Sequence, residues 1–189
     1  MLIYIHGFNS SPVSHKARIL KQRLEVLGKG NAFWCPALSD RPAQAIELLE
    51  SRLRDAEPRL VTLVGSSLGG YYATYLAEKF ALKAVLVNPA VTPYEGLRAY
   101  LGPQQNLYSG QGYELTPQHL DELRALDVDQ PTGMDRYYLM VTTGDEVLDY
   151  RIAARRYAGA RQLVVQGSDH GFADFTDHLD SVLCFATPF

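Results

Sequence analysis

The segment Val61-Thr62-Leu63-Val64-Gly65-Ser66-Ser67-Leu68-Gly69-Gly70 constrains the fold more than any other, because an apolar run passes without a loop into a helical pattern at Gly-x-Ser-x-Gly. Leu60–Val64 reads as a strand buried on both faces, and Tyr72, Leu76 and Phe80 recur on one stripe of the helix that follows. So tight a strand-to-helix turn forces strained backbone angles on its central residue and leaves no room for side chains two positions either side. Gly65 and Gly69 occupy those positions, and Ser67 is expected to project its hydroxyl above the sheet at a helix N-terminus.

The rest of the chain repeats this alternation. Strands are expected at Leu2–Ile5, Phe33–Cys35, Ala84–Val87, Tyr138–Val141 and Gln162–Val165. Helices are expected where Ala17, Leu20, Leu24 and Leu27 recur, where Ile46, Leu49 and Leu53 recur, and from about Tyr150 to Tyr157. Strand–helix alternation predicts a three-layer α/β/α sandwich around a mainly parallel sheet. The 189 residues suit one domain over 1–189 with a core that stands without disulfides or structural metal. Between about 89 and 132 the pattern loosens. Gly102-Pro103-Gln104-Gln105-Asn106 and Gly110-Gln111-Gly112 read as loop, with a short helix behind Thr116-Pro117, and the whole is expected to be a lid-like insertion over the sheet's end.

Composition narrows the classes of partner. A net charge of −3 supplies no field for nucleic acid or an anionic membrane. The opening Met1-Leu2-Ile3-Tyr4-Ile5-His6 has no basic region and too short an apolar stretch for a signal or a membrane span, so cytoplasmic residence is expected. Cys35 and Cys184 have neither C-x-x-C spacing nor a companion histidine at metal-ligand spacing, and no cofactor or metal is expected.

A serine hydroxyl is a weak nucleophile until a base takes its proton. His170, in Gly167-Ser168-Asp169-His170-Gly171, follows the last expected strand, where a parallel sheet delivers loops to the edge that carries Ser67; the competing reading is an exposed turn histidine. The imidazole then needs a carboxylate to fix its tautomer. Asp145, directly after the strand Tyr138–Val141, fits best, with Glu146 and Asp149 as rivals and Asp149 better suited to capping the next helix. His6-Gly7-Phe8 closes the first strand at the same edge, so the N–H groups of Phe8 and Leu68 are expected to form an oxyanion hole, with His6 and Gly7 bracing it. His15, His119 and His178 fall on expected helices and read as surface residues without a role.

In their order along the chain, His6-Gly7-Phe8, the Ser67 turn, Gly144-Asp145 and His170 resemble the α/β-hydrolase superfamily. More narrowly, Tyr4-Ile5-His6-Gly7-Phe8-Asn9-Ser10-Ser11-Pro12, Gly65-Ser66-Ser67-Leu68-Gly69-Gly70-Tyr71-Tyr72-Ala73, Asn88-Pro89-Ala90 and Thr143-Gly144-Asp145-Glu146-Val147-Leu148-Asp149-Tyr150 resemble the bacterial YqiA-like esterases over nearly the whole chain. The resemblance implies a minimal α/β-hydrolase fold, a gammaproteobacterial source, and a carboxylesterase acting on a small acyl ester, with acyl-CoA thioester cleavage as the variant. The residues themselves leave a hydrolase fold turned silent binding module, and amide or peroxyacid chemistry, as alternatives. Tyr94, Tyr100, Leu101, Tyr108 and Tyr113 of the insertion are expected to shape an acyl pocket.

Overall fold

The computed structural model describes residues 1–186 of the chain. In chain order it comprises β1 (Leu2–Ile5), α1 (His15–Val26), β2 (Phe33–Trp34), α2 (Pro42–Leu53), β3 (Thr62–Ser66), α3 (Leu68–Phe80), β4 (Lys83–Val87), α4 (Pro93–Gly96), β5 (Gly102–Gln105), β6 (Gly112–Leu115), α5 (Pro117–Arg124), β7 (Tyr137–Thr142), α6 (Tyr150–Arg156), β8 (Arg161–Val165) and α7 (Leu179–Ala186). Residues 187–189, the end of the span expected as one domain, lie outside the described residues.

Six strands form one parallel sheet in the order β2-β1-β3-β4-β7-β8. Strand alternation sends Ile3, Ile5, Leu63, Leu86 and Leu139 to one face, where α2 and α3 cover them, and Leu2, Tyr4, Val64, Val85 and Met140 to the other, under α1 and α7. Strands buried on both faces must be apolar where they are covered, which explains the unbroken runs Leu2–Ile5 in β1 and Ala84–Val87 in β4, whose Lys83 stands at the half-buried start. Each fully buried Leu or Ile contributes about 1.5–3 kcal/mol relative to its exposed state, so these two layers fix the sheet's register. The chain order reverses between β1 and β3, and at such a switch point the loops leaving the carboxyl ends part to form a crevice. Among the described residues no helix is long and apolar enough to cross a membrane.

Two expectations need correcting. The strand expected at Leu60–Val64 runs from Thr62 to Ser66, because Pro58–Leu60 closes a 3₁₀ turn through Val61 N–H to Pro58 O and leaves Leu60 exposed. The stretches expected as loop at 102–106 and 110–112 pair as an antiparallel hairpin, Gly102 opposite Leu115 and Gln105 opposite Gly112. Its turn is closed by Asn106, whose Oδ1 accepts from Tyr108 and Ser109 N–H. Tertiary contacts hold the hairpin down: Leu107 N–H donates to Asn9 O, and Asn106 Nδ2 to Ser10 O.

Candidate active site

The turn between β3 and α3 has the strain its sequence demands. Ser67 stands at φ 55°, ψ −119°, a region that non-glycine residues rarely enter, and its surroundings over-determine it. Its N–H donates to Val87 O at 3.0 Å, and its carbonyl accepts from Gly70 and Ala90 N–H at 2.9 and 3.1 Å. A Cβ on Gly65 would overlap the Gly69 carbonyl, and one on Gly69 would overlap the Ile5 carbonyl. A Cβ on Gly70 would come within 2.6 Å of Pro89 Cβ, so this third glycine is also needed where α3 passes the end of β4.

Ser67, His170 and Asp145 come together in one chain of hydrogen bonds. His170 Nε2 lies 3.0 Å from Ser67 Oγ, and His170 Nδ1 lies 2.9 Å from Asp145 Oδ2. The Asp145 side chain is only 2% exposed, and its Oδ1 accepts from both Val147 and Leu148 N–H at 2.8 Å. Burial alone pushes this carboxyl's pKa up. The His170 ring and the two amides outweigh it and hold the pKa below the ordinary carboxylate value. The ionised carboxylate can only accept, so Nδ1 carries the imidazole proton and the Nε2 lone pair faces the Ser67 hydroxyl.

The two rivals of Asp145 have other duties. Asp149 caps α6, accepting from Arg151 N–H at 3.0 Å, as expected of it. Glu146 Oε2 accepts from His170 N–H at 3.0 Å and so holds the backbone of the histidine loop.

The N–H groups of Phe8 and Leu68 donate no hydrogen bond among the described residues. Gly7 packs beside the serine, where a Cβ would sit 3.2 Å from Ser67 Cβ. His6 is buried. Its Nδ1 approaches Gly7 O at 3.2 Å and its Nε2 accepts from Leu38 N–H at 3.4 Å, tying the β1 loop to the chain after β2. Desolvation lowers its pKa and favours the neutral ring that can make both contacts.

The main feature that sequence reasoning missed is Asn88. It is buried at the end of β4 with φ 41°, and its Nδ2 lies 3.1 Å from Thr142 Oγ1 and 3.2 Å from the carbonyls of both Asp169 and His170. Its Oδ1 accepts from Thr142 N–H at 3.0 Å, and Thr142 Oγ1 donates to Asp169 O at 3.0 Å. Gly144 is needed in the same place, since a Cβ there would overlap the Ser168 carbonyl. Lys16 donates to Gly171 O from α1, and burial lowers its pKa to about 8 against the pull of Asp169 and Asp145. The available signal was a buried-strand end at Asn88-Pro89, a position where asparagine tolerates a left-handed backbone.

His119, expected at the surface, is instead buried, because its Nδ1 closes a capping box with Thr116 at the start of α5. The cleft that exposes Ser67 and His170 has a volume of about 550 Å³ and an apolar wall of Val91, Leu97, Tyr100, Val147, Leu148 and Ile152. Of the side chains expected to shape an acyl pocket, only Tyr100 lines it. Tyr94 bonds to Asp127, Leu101 and Tyr108 are exposed, and Tyr113 lines a second cleft.

Residues 1–187 match the uncharacterised protein family UPF0227. A UPF0227 protein of Serratia proteamaculans is 22% identical over 191 residues, covering 99% of each chain. The fold is that of α/β hydrolases: a structure from Agrobacterium vitis S4 described as a candidate hydrolase superposes with a TM-score of 0.76 at 17% identity, over 98% of this chain and 87% of that one. The esterase domain of a Rhodothermus marinus protein superposes with a TM-score of 0.67 at 18% identity, over 98% and 85%.

Proposed function

The chain belongs to the UPF0227 family, and we propose that it is a serine-dependent hydrolase of carboxylic esters acting through an acyl-enzyme. The observation that carries this reading is the continuous relay from the Asp145 carboxylate through His170 to a strained Ser67 hydroxyl. Ser67 Oγ bonds to the ester carbonyl carbon while His170 Nε2 takes its proton. The oxyanion that forms is met by Phe8 and Leu68 N–H at the start of α3, where the helix dipole adds to the two donors. As the tetrahedral species collapses, the ester C–O bond breaks and His170 returns the proton to the leaving oxygen. Water, deprotonated by His170, then releases the acid and restores Ser67. Asp145 keeps the imidazole in the tautomer that every step requires.

The esterase domain among the structural neighbours fits this reading, and so does the apolar cleft that opens onto Ser67. The test is p-nitrophenyl butyrate hydrolysis beside Ser67→Ala, His170→Ala and Asp145→Asn, with labelling by a fluorophosphonate. Turnover by the parent and a loss of at least about a thousandfold in each variant is the expected result. A parent inert to p-nitrophenyl esters, acyl-CoA thioesters and the fluorophosphonate would overturn it.

A further inference from the structure

Two clefts meet at Phe8 and Leu68, and their chemistry differs. The apolar one holds Ser67 and His170. The other, of about 290 Å³, lies beyond Gly7 and Phe8 and is lined by polar side chains including Asn9, Ser39, Asp40, Tyr72 and Tyr113. Most of these are already engaged within the chain. Asn9 Oδ1 accepts from Tyr113 O–H at 2.7 Å while its Nδ2 donates to Gln104, and Ser39 Oγ donates to Gln44 and accepts from Arg41 N–H.

Ser10, Asp40, Tyr72 and Gln111 have no such side-chain bond among the described residues, and two of them stand out. Tyr72 is only 3% exposed, yet its hydroxyl makes no hydrogen bond among the described residues, and burial raises its pKa so that the O–H stays protonated. The hydroxyl is not sealed from solvent, so a group that enters the cleft can bond to it. Asp40, its side chain 39% exposed, accepts no hydrogen bond among the described residues; His119 Nε2, itself buried without a hydrogen-bond partner, lies 3.6 Å from it. The guanidinium next along the chain, Arg41, is bound to Glu122 and is not offered to the cleft. Of these four, the Tyr72 O–H is the most deeply placed donor, and Asp40 is the one carboxylate among the lining residues.

Resting on the esterase reading above, we propose that the polar cleft is an acyl subsite that takes a hydroxyl-bearing acyl chain, with the hydroxyl donating to Asp40 and accepting from Tyr72. The direction follows from the proton path. The leaving oxygen must reach His170 Nε2, and His170 lines only the apolar cleft, so the alcohol departs through that side. With the carbonyl oxygen turned to Phe8 and Leu68 N–H, the acyl chain runs past these residues into the polar cleft. A methyl in the hydroxyl's place would forfeit both hydrogen bonds. An acyl carboxylate would face the like charge of Asp40.

The experiment compares p-nitrophenyl esters of ω-hydroxyhexanoate and ω-hydroxyoctanoate with their chain-matched methyl isosteres and with p-nitrophenyl ω-aminohexanoate, in the parent, Tyr72→Phe and Asp40→Asn. The readout is the ratio of kcat/KM between hydroxyl and methyl esters within each protein, which a partial loss of folded enzyme does not move. At one of the two lengths the parent should favour the hydroxyl ester by at least about tenfold, and each variant should remove most of that preference. No preference at either length, a preference that survives in both variants, or a stronger preference for the amine would overturn the subsite. p-Nitrophenyl acetate, too short to enter the polar cleft, and the fluorophosphonate separate the two levels: reaction with either without the hydroxyl preference sinks the subsite alone, and inertness to both, to the longer esters and to acyl-CoA thioesters sinks the esterase reading with it.

Discussion

Ser67 and His170 stand 3.0 Å apart, and the chain holds them there by opposite means. The serine turn is steric. It sits at the centre of the sheet, between β3 and α3, where Gly65, Gly69 and Gly70 leave no space for one added carbon and backbone hydrogen bonds to β4 close the turn. The histidine loop is polar. It leaves β8, an edge strand with its first two residues exposed, and its backbone is gripped by side chains from other elements: Asn88 on the His170 and Asp169 carbonyls, Thr142 on Asp169, Glu146 on the His170 N–H and Lys16 on Gly171. An apolar anchor completes the grip, with Phe172 and Phe175 fully buried and packed edge to face. A close-packed turn resists deformation because interiors have no slack, whereas a polar clamp holds only while each of its partners is in place.

The difference can be broken at either end. The largest effect belongs to Gly69→Ala, where the new methyl meets the Ile5 carbonyl and must displace β1 or the turn itself. The loss should be at least about 3 kcal/mol in urea denaturation, and a loss under about 1 kcal/mol would show that the turn yields after all. Asn88→Ala comes next. It strands the buried Thr142 N–H, takes the Asn88 donor from the part-buried His170 carbonyl and leaves the Asp169 carbonyl to Thr142 Oγ1 alone, for about 2–3 kcal/mol. Its effect on ester turnover should fall on kcat, by about a hundredfold, with KM nearly unchanged, because the imidazole shifts while the apolar cleft does not. An equal loss in Tm with kcat intact would make Asn88 a packing residue only.

The same contrast decides what was legible in the sequence. Gly65, Ser67 and Gly69 are neighbours along the chain, and the steric demand they meet is local, so the turn and its orientation could be read directly. His170 and Asp145 were legible through their place after strands, since a parallel sheet brings every such loop to one edge. The clamp was not, because Asn88 lies 82 residues from the carbonyl it holds and nothing in its own segment marks a distant partner. Likewise the hairpin at β5 and β6 has glycine, proline and glutamine in a segment too short to show alternation, and it owes its shape to Asn9 and Ser10. The tyrosines expected to shape an acyl pocket divide between two clefts and the surface for a related reason. The tyrosines of 94–113 carry no local sign of which way they face, and Tyr100 alone of them joins the apolar wall, whose other residues flank α4 or lie just before and within α6.

A smaller effect tests one arm of the clamp. Glu146→Ala removes the acceptor for His170 N–H at the exposed rim of the loop, where water can replace it in part. Turnover should fall about tenfold, and Glu146→Gln, whose amide oxygen can still accept, should recover most of it. If glutamine is no better than alanine, the charge of Glu146 matters and its hydrogen bond does not.

The smallest effect separates the two modes of anchoring by pH. Asp145 has its pKa held below the ordinary carboxylate value in the fold, so folding favours its ionised form. Its contribution to stability is complete above the unfolded pKa of about 4 and is lost as pH falls through the lower folded value. Asp145→Asn has no carboxylate to protonate. The stability gap between parent and Asp145→Asn should therefore be constant from neutrality to about pH 5 and shrink below about pH 4, measured by urea denaturation at each pH. The gap between parent and Gly69→Ala involves no titrating group and should stay flat over the same range. If both gaps close together in acid, the histidine loop is held by packing as the serine turn is, and the contrast between them fails.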